Sequence, residues 1–94
     1  MIFEWDDHKE KANIRKHGVD FHEASTSFAD PLKLEFYDAT HSVNEDRFIL
    51  LGISSKGRLL TVVFLEKRDD LIRIISARTA TRSETNFYDQ SNKP

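Results

Sequence analysis

Arginines concentrate in the second half of this chain. Only Arg15 lies in the first half, and the six others are Arg47, Arg58, Arg68, Arg73, Arg78 and Arg82. A planar guanidinium forms two parallel hydrogen bonds with phosphate oxygens, so arginines brought together by folding are suited to binding a phosphodiester. Arg78 and Arg82 flank the start of a predicted helix, whose free N–H groups attract anions, and Tyr88 follows with a ring for base stacking. From composition alone, pairing of these arginines with surface carboxylates is an equally good interpretation.

Histidines and carboxylates carry weaker signals. The four histidines lack the spacing of a metal-binding pair, and the acidic doublets Glu45-Asp46 and Asp69-Asp70 resemble solvated turns, so we predict neither a metal site nor a cofactor. His17 precedes Gly18, where a cation commonly ends a helix. His41 lies in a polar loop before Arg47 and is the better candidate for a general base. The three glycines form no phosphate-binding loop.

Size and charge limit the class of protein. With 94 residues and no cysteine, the chain predicts a single domain, residues 1–94, in a reducing cytoplasm and without a membrane span. The net charge of −2 hides an asymmetry, because residues 1–46 carry 5 Lys/Arg against 11 Asp/Glu whereas residues 47–94 carry 9 against 5. We therefore expect an acidic helical surface and a basic sheet surface.

Two helices are predicted at the start of the chain. Ile2 to Trp5 is short and β-prone, and Asp6 then caps a helix over residues 7–17 that Gly18 ends. Asp20 opens a second helix in a capping box with Glu23, and Asp30-Pro31 stops it.

Alternating apolar residues then predict a sheet. The strand-length runs are Leu32 to Tyr37, Arg47 to Ile53, Leu59 to Leu65, and Leu71 to Ala77. Thr81 and Glu84 form another capping box that opens a last helix, and residues 90–94 are predicted to fray. The fold class is therefore α+β: two N-terminal helices, an antiparallel β-meander of about four strands, and a C-terminal helix.

A resemblance to a known family rests on stretches spread from Phe3 to Tyr88. They are Phe3-Glu4-Trp5-Asp6, Asn13 to Phe21 with Ala24, Phe28, Asp30 and Pro31, Glu45 to Phe48, Gly52, and Arg73 to Arg78 with Ala80, Glu84 and Tyr88. With these residues the chain resembles the BrnT family of toxins from bacterial toxin–antitoxin pairs. The resemblance implies a RelE-like compact ribonuclease fold that degrades RNA and arrests growth.

The resemblance also implies partners. It implies neutralisation by a BrnA-like antitoxin with a ribbon-helix-helix DNA-binding domain, in a complex such as a heterotetramer. The pair would repress its own operon, and the toxin would reach operator DNA only through the antitoxin.

Site roles follow from the chemistry of metal-independent RNA cleavage, which needs a base for the 2′-hydroxyl, cations for the developing phosphorane charge and a proton for the leaving oxygen. We expect Arg78 and Arg47 to stabilise charge, assisted by whichever of Lys67 or Arg68 replaces the family's arginine. Glu66 is the first candidate for the base and His41 the second. The residues expected to bind RNA are Arg58, Arg73, Arg82 and Tyr88.

A different class of function also fits the sequence. The chain, in this second hypothesis, is a non-catalytic module that binds a partner protein and, through it, DNA as a co-repressor. Expression without a partner distinguishes the hypotheses, since only the ribonuclease would arrest growth and fragment RNA.

Overall fold

Five strands form one mixed sheet in the computed structural model, which describes residues 1–94. The strands are β1 (Ile2–Glu4), β2 (Leu34–Tyr37), β3 (Arg47–Ile53), β4 (Leu59–Glu66) and β5 (Leu71–Thr79), and the helices are α1 (Asp7–His17), α2 (Phe21–Thr26) and α3 (Arg82–Ser91). The strand order is β1-β5-β4-β3-β2. The predicted α+β class and the antiparallel order of the meander from β2 to β5 are confirmed.

The estimate of four strands was too low. β1 lies parallel to β5, with Phe3 opposite Ile72, and the Ile2 N–H donates to the Asp70 carbonyl at 2.9 Å. Three residues are too few to show a periodicity, and a parallel neighbour in the sheet needs a long connection, which here is nearly the whole chain. Only the tertiary structure could therefore add β1 to the sheet.

The predicted caps of α1 and α3 are confirmed. Asp6 accepts a hydrogen bond from the Lys9 N–H at 2.9 Å, and Gly18 ends α1 in the left-handed conformation at φ 70°. At α3, Thr81 and Glu84 form the complete capping box. The helix continues to Ser91, beyond the start of the predicted frayed tail.

The capping box predicted at α2 is only half formed. Asp20 accepts from the Glu23 N–H, but the Glu23 carboxylate does not return to the Asp20 backbone. It accepts hydrogen bonds from Ser54 at 2.7 Å and from the Arg58 Nε at 3.0 Å. An arginine compensates the charge of a buried carboxylate, which a backbone N–H does not. Glu23 therefore pairs with the distant Arg58 and not with the Asp20 backbone.

The main core lies between α2 with its flanking residues and one face of the sheet. Phe21, Ala24 and Phe28 pack there against alternating residues of the central strands, such as Leu60, Val62, Phe64 and Ile74. Phe28 contacts Phe64 edge to face at 4.9 Å between ring centroids. A Cβ at Gly52 would lie 2.6 Å from the Ser27 carbonyl oxygen, so glycine permits this close approach.

One edge of the sheet is closed by a side chain. Asn13 of α1, 7% exposed, donates to the carbonyls of Ala77 at 2.7 Å and of Val19 at 2.9 Å, and it accepts from the Ala77 N–H at 3.1 Å. Its amide thus pairs with β5 as a neighbouring strand would, beyond the point where the short β1 ends.

The predicted separation of charge by layer is incomplete. α1 carries four exposed cations, Lys9, Lys11, Arg15 and Lys16, although it belongs to the acidic half of the sequence. The longest helix, α1, has 11 residues, so none of the three helices could span a bilayer.

Candidate functional site

The sheet has a second face, opposite α2 and the core, which α3 covers in part through the contacts of Glu84 with Thr61 and Arg78. We call it the open face. Because side chains alternate along a strand, the residues that alternate with core residues lie on it. They include Arg47 and Ile49 of β3, Thr61, Val63 and Leu65 of β4, and Arg73 and Arg78 of β5. Three of the predicted arginines therefore share one surface.

Strand register places two of these arginines in one row. Arg47 lies opposite Leu65, Leu65 opposite Arg73, and Arg73 opposite Glu4 of β1. At about 4.8 Å between neighbouring strands, the Cα atoms of Arg47 and Arg73 are roughly 10 Å apart. Arg73 donates to Glu4 at 2.9 Å, whereas Arg47 forms no ion pair. Arg47 is therefore the guanidinium of this row that is free to bind an anion.

Arg78 is already paired within the fold. Its Nη1 and Nη2 donate to the two oxygens of Glu84 at 2.7 and 2.9 Å, and Thr61 donates to the same carboxylate at 3.0 Å. The hydrogen bond from Arg78, opposed by burial, lowers the pKa of Glu84 to about 2. Glu84 therefore stays ionised at neutral pH, and it occupies the guanidinium that was expected to meet a phosphate.

The loop after β2 brings a histidine and an aspartate to the start of β3. The Asp38 N–H donates to the Arg47 carbonyl at 2.8 Å, so Asp38 continues the β2–β3 register opposite Arg47. The Ser42 hydroxyl donates to the Asp38 carbonyl at 2.6 Å and accepts from the Arg47 N–H at 2.9 Å. His41 Nδ1 lies 3.0 Å from the Asp38 carboxylate, and its side chain is 62% exposed. A carboxylate on Nδ1 orients the imidazole and leaves Nε2 available for proton transfer.

Glu66 lies at the end of β4, on the other side of the sheet. It pairs with Ile72, a core residue, so strand alternation directs it away from the open face of Arg47 and Arg73. Lys67 and Arg68 are exposed in the β4–β5 turn. Two aspartates form its centre, Asp69 at φ 53° and Asp70 at φ 68°. Glu66 therefore lies apart from Arg47 and Arg73, on the opposite face of the sheet.

Arg58 lies on the helix side of the molecule. It holds Glu23, which is 2% exposed, with two nitrogens, and it also donates to the Gly18 carbonyl at 3.2 Å. The hydrogen bond from Arg58 is the main cause that lowers the pKa of Glu23, against the opposing effect of burial. We therefore assign Arg58 to folding, since releasing it would leave a buried carboxylate uncompensated.

Tyr88 is likewise committed to the fold. Its side chain is only 5% exposed, and its hydroxyl donates to Asp30 at 2.6 Å. Burial, followed by this hydrogen bond, raises the pKa of Tyr88 to about 12. A buried ring has no free face for base stacking, so its role is to hold α3 on the sheet. Arg82 is exposed in the first turn of α3. Phe87, which directly precedes Tyr88, is the aromatic residue of α3 that is exposed, at 50%.

The sequence analysis gave no role to two partners of the site, Asp38 and Glu4. Asp38 stands three residues before His41, a spacing that joins side chains on a helical turn, and this signal was available. Glu4 had no such signal, because its contact with Arg73 spans 69 residues.

Neither the largest cleft nor any cluster of potential metal ligands coincides with the open face. The largest cleft, about 530 Å³, lies where the residues that follow α2, the end of β3 and α3 meet. Its lining includes Asp30, Ile53 and Tyr88 but no arginine. No group of three or more His, Cys, Asp or Glu side chains could hold a metal ion.

Comparison with known proteins identifies the family. The profile of the family described as "Ribonuclease toxin, BrnT, of type II toxin-antitoxin system" matches residues 5–84. The structure is similar to the crystal structure of the Brucella abortus ribonuclease toxin BrnT, at a TM-score of 0.67 and 22% identity over 87% of this chain and 100% of that one. That likeness shows the fold alone, and no curated protein matches the sequence. Because the family profile spans most of the chain, the protein belongs to the BrnT family of ribonuclease toxins of type II toxin–antitoxin systems, whose members act with an antitoxin partner.

Proposed function

We propose that this toxin is an endoribonuclease that binds RNA on the open face and cleaves it without a metal ion. One observation carries the proposal: Arg47 is a half-buried guanidinium without an ion pair, in a row with Arg73 and next to the His41–Asp38 pair. An unpaired guanidinium beside an exposed, oriented imidazole supplies both charge stabilisation and a base.

Cleavage proceeds by attack of the ribose on its own phosphate. His41 Nε2 takes the proton of the 2′-hydroxyl, and the 2′-oxygen forms a bond to phosphorus. The bond from phosphorus to the 5′-oxygen breaks, and that oxygen takes a proton from water, so the products are a 2′,3′-cyclic phosphate and a 5′-hydroxyl. Arg47, with Arg73 beside it, neutralises the charge that develops on the phosphorane oxygens.

The remaining cations guide the RNA to the corner of the sheet where Arg47, Arg73 and His41 lie. Lys67 and Arg68 lie in the turn that follows the row of Arg47 and Arg73, and the Lys67 N–H donates to the Leu71 carbonyl at 2.8 Å, which continues the β4–β5 pairing. Arg82 and the exposed ring of Phe87 are placed to contact RNA along α3. Arg78 joins the site when a phosphate competes with Glu84 for its guanidinium.

We also propose how the toxin is controlled. The resemblance supports a RelE-like toxin of the cytoplasm that is neutralised by a BrnA-like ribbon-helix-helix antitoxin, within a heterotetramer that co-represses its operon. Cleavage in EDTA tests metal independence, and binding experiments with the antitoxin test the partner.

The decisive experiment incubates the purified chain with a defined RNA in the presence of EDTA. We expect the fragments to end in a cyclic phosphate. Both Arg47→Ala and His41→Gln should reduce the cleavage rate by about a hundredfold or more. Arg15→Ala removes an exposed arginine of α1, far from the row in sequence, and should leave the rate within about twofold.

Three outcomes would contradict the proposal. Intact RNA with the wild-type chain would favour a non-catalytic co-repressor module. Loss of cleavage in EDTA with recovery on adding Mg²⁺ would contradict metal independence. An Arg47→Ala variant as active as the Arg15→Ala control would remove the open face from the mechanism.

A further inference from the structure

The two edges of the sheet are treated differently by the fold. At the β5 edge, β1 covers the first residues and Asn13 satisfies the backbone of Ala77. At the other edge, β2 contacts the sheet only through β3. An uncovered edge strand invites pairing with another chain, and natural proteins protect such edges unless they are used.

The backbone groups that β2 presents outward can be named. The Asp38 N–H bonds to the Arg47 carbonyl, so the residues that alternate with it, Phe36 and Leu34, also direct their backbone groups to β3. The N–H and C=O groups of Glu35 and Tyr37 therefore point away from the sheet. They form two donor–acceptor pairs in the correct spacing for an added strand.

The side chains around this edge are apolar and exposed. Tyr37 is 54% exposed and Phe36 is 38% exposed, and the Phe36 ring contacts that of Phe87 of α3 in a tilted arrangement, at 5.6 Å between ring centroids. Val43, in the loop that follows, is 84% exposed. A strand added to β2 would cover these apolar groups on both faces of the sheet.

The charge at the edge selects the chemistry of the partner. Between residues 33 and 46 a single lysine stands against four carboxylates, those of Glu35, Asp38, Glu45 and Asp46. Two copies of β2 pairing with each other would bring these like charges together, which disfavours a homodimer. The edge therefore favours an extended segment that carries Lys or Arg among aliphatic residues.

We infer that the antitoxin neutralises this toxin by adding an extended, basic segment as a strand beside β2. Binding of the antitoxin at β2 rests on the family's antitoxin partner, and only the way in which binding neutralises the toxin rests on the proposed function. Because β2 leads through the Asp38–Ser42 loop to Arg47, a strand at this edge lies beside the corner proposed for catalysis. Occupying the edge would therefore block RNA from the open face.

The first test measures amide hydrogen exchange in the toxin, free and bound to the antitoxin encoded with it. In the complex we expect the amides of Glu35 and Tyr37 to exchange at least about a hundredfold more slowly, because an ordered strand covers them. Exchange at the free-protein rate in the complex would overturn the inference. Protection of both amides in the free toxin, together with a dimer in solution, would overturn it in favour of a second copy of this chain.

The second test uses proline, which removes an outward N–H without breaking the β2–β3 pairing. We expect Glu35→Pro to weaken the affinity for the antitoxin by about tenfold, whereas Glu35→Thr, which keeps the N–H, should weaken it by less than about threefold. Equal affinities of the two variants would overturn the inference. Cleavage of RNA by Glu35→Pro should stay at the wild-type rate, and because affinity is measured by calorimetry, the test holds even if the chain cleaves no RNA.

Discussion

The guanidinium of Arg78 and the carboxylate of Glu84 are joined by two parallel hydrogen bonds, 2.7 Å between Nη1 and Oε1 and 2.9 Å between Nη2 and Oε2. The same carboxylate accepts from the Thr81 N–H at 2.8 Å and from the Thr61 hydroxyl at 3.0 Å. It thereby fastens the start of α3 to β4 and β5. One side chain thus completes a helix cap and also occupies a cation of the proposed RNA-binding face.

The Arg78–Glu84 pair should make stability depend on pH in the acid range. The pKa of Glu84 falls from 4.5 to about 2 on folding, so its contribution is present above about pH 4.5 and is lost as the pH falls toward 2. At pH 7 we expect Glu84→Gln to lower the free energy of unfolding by about 2 kcal/mol, after discounting for solvent screening. Urea unfolding at pH 7 and pH 2.5 tests this. A loss of the same size at both pH values would mean that the charge is not responsible.

Releasing Arg78 should also strengthen binding of RNA. In Glu84→Gln the guanidinium loses its charged partner, and we expect the affinity for RNA at low salt to rise by about threefold or more. Fluorescence anisotropy with a labelled, non-cleavable RNA measures this affinity. The matched control is Asp89→Asn, which changes the net charge equally at an exposed position of α3. If both variants bind alike, net charge alone accounts for the change.

Tyr88 should produce a step in stability at high pH. Its pKa of about 12, raised from 10 by burial and then by Asp30, means that its contribution is complete below about pH 10 and is lost as the pH rises through 12. Tyr88→Phe removes the hydrogen bond to Asp30 and should cost about 1–2 kcal/mol at pH 7. The variant should also lack a tyrosinate absorbance step near pH 12. A wild-type protein without that step would contradict the buried contact.

Replacing Asn13 by aspartate should lower the stability of the fold. Its Nδ2 donates to two carbonyls, and replacing that group by a carboxylate oxygen in Asn13→Asp would place acceptors against acceptors in a buried site. We expect a loss of about 3 kcal/mol at pH 7 and a smaller loss at pH 4, because burial raises the pKa of the introduced carboxyl and protonation restores a donor. Thermal unfolding at both pH values tests this, with Asn44→Asp in an exposed loop as control. An equal loss at both pH values would assign the effect to shape.

Features encoded within a few residues were predictable from the sequence. The β3 strand has the predicted bounds, and Asp6 and Gly18 bound α1 as expected. Such features depend on neighbouring residues: a cap needs a side chain three positions away, and a strand needs only its own alternation. The local rule failed where a distant partner competed. The Glu23 carboxylate was predicted to bond the Asp20 backbone, but it accepts hydrogen bonds from Arg58.

The sequence by itself determined the family, the α+β class and the arginine-rich meander. Only the tertiary structure decided that Arg47 is free of an ion pair, whereas Arg58, Arg73 and Arg78 each meet a carboxylate of another element. The same holds for the addition of β1 and for the separation of Glu66 from the open face. The physical reason is that pairing partners and the face a side chain occupies depend on strand register, and register is set when distant segments pack together.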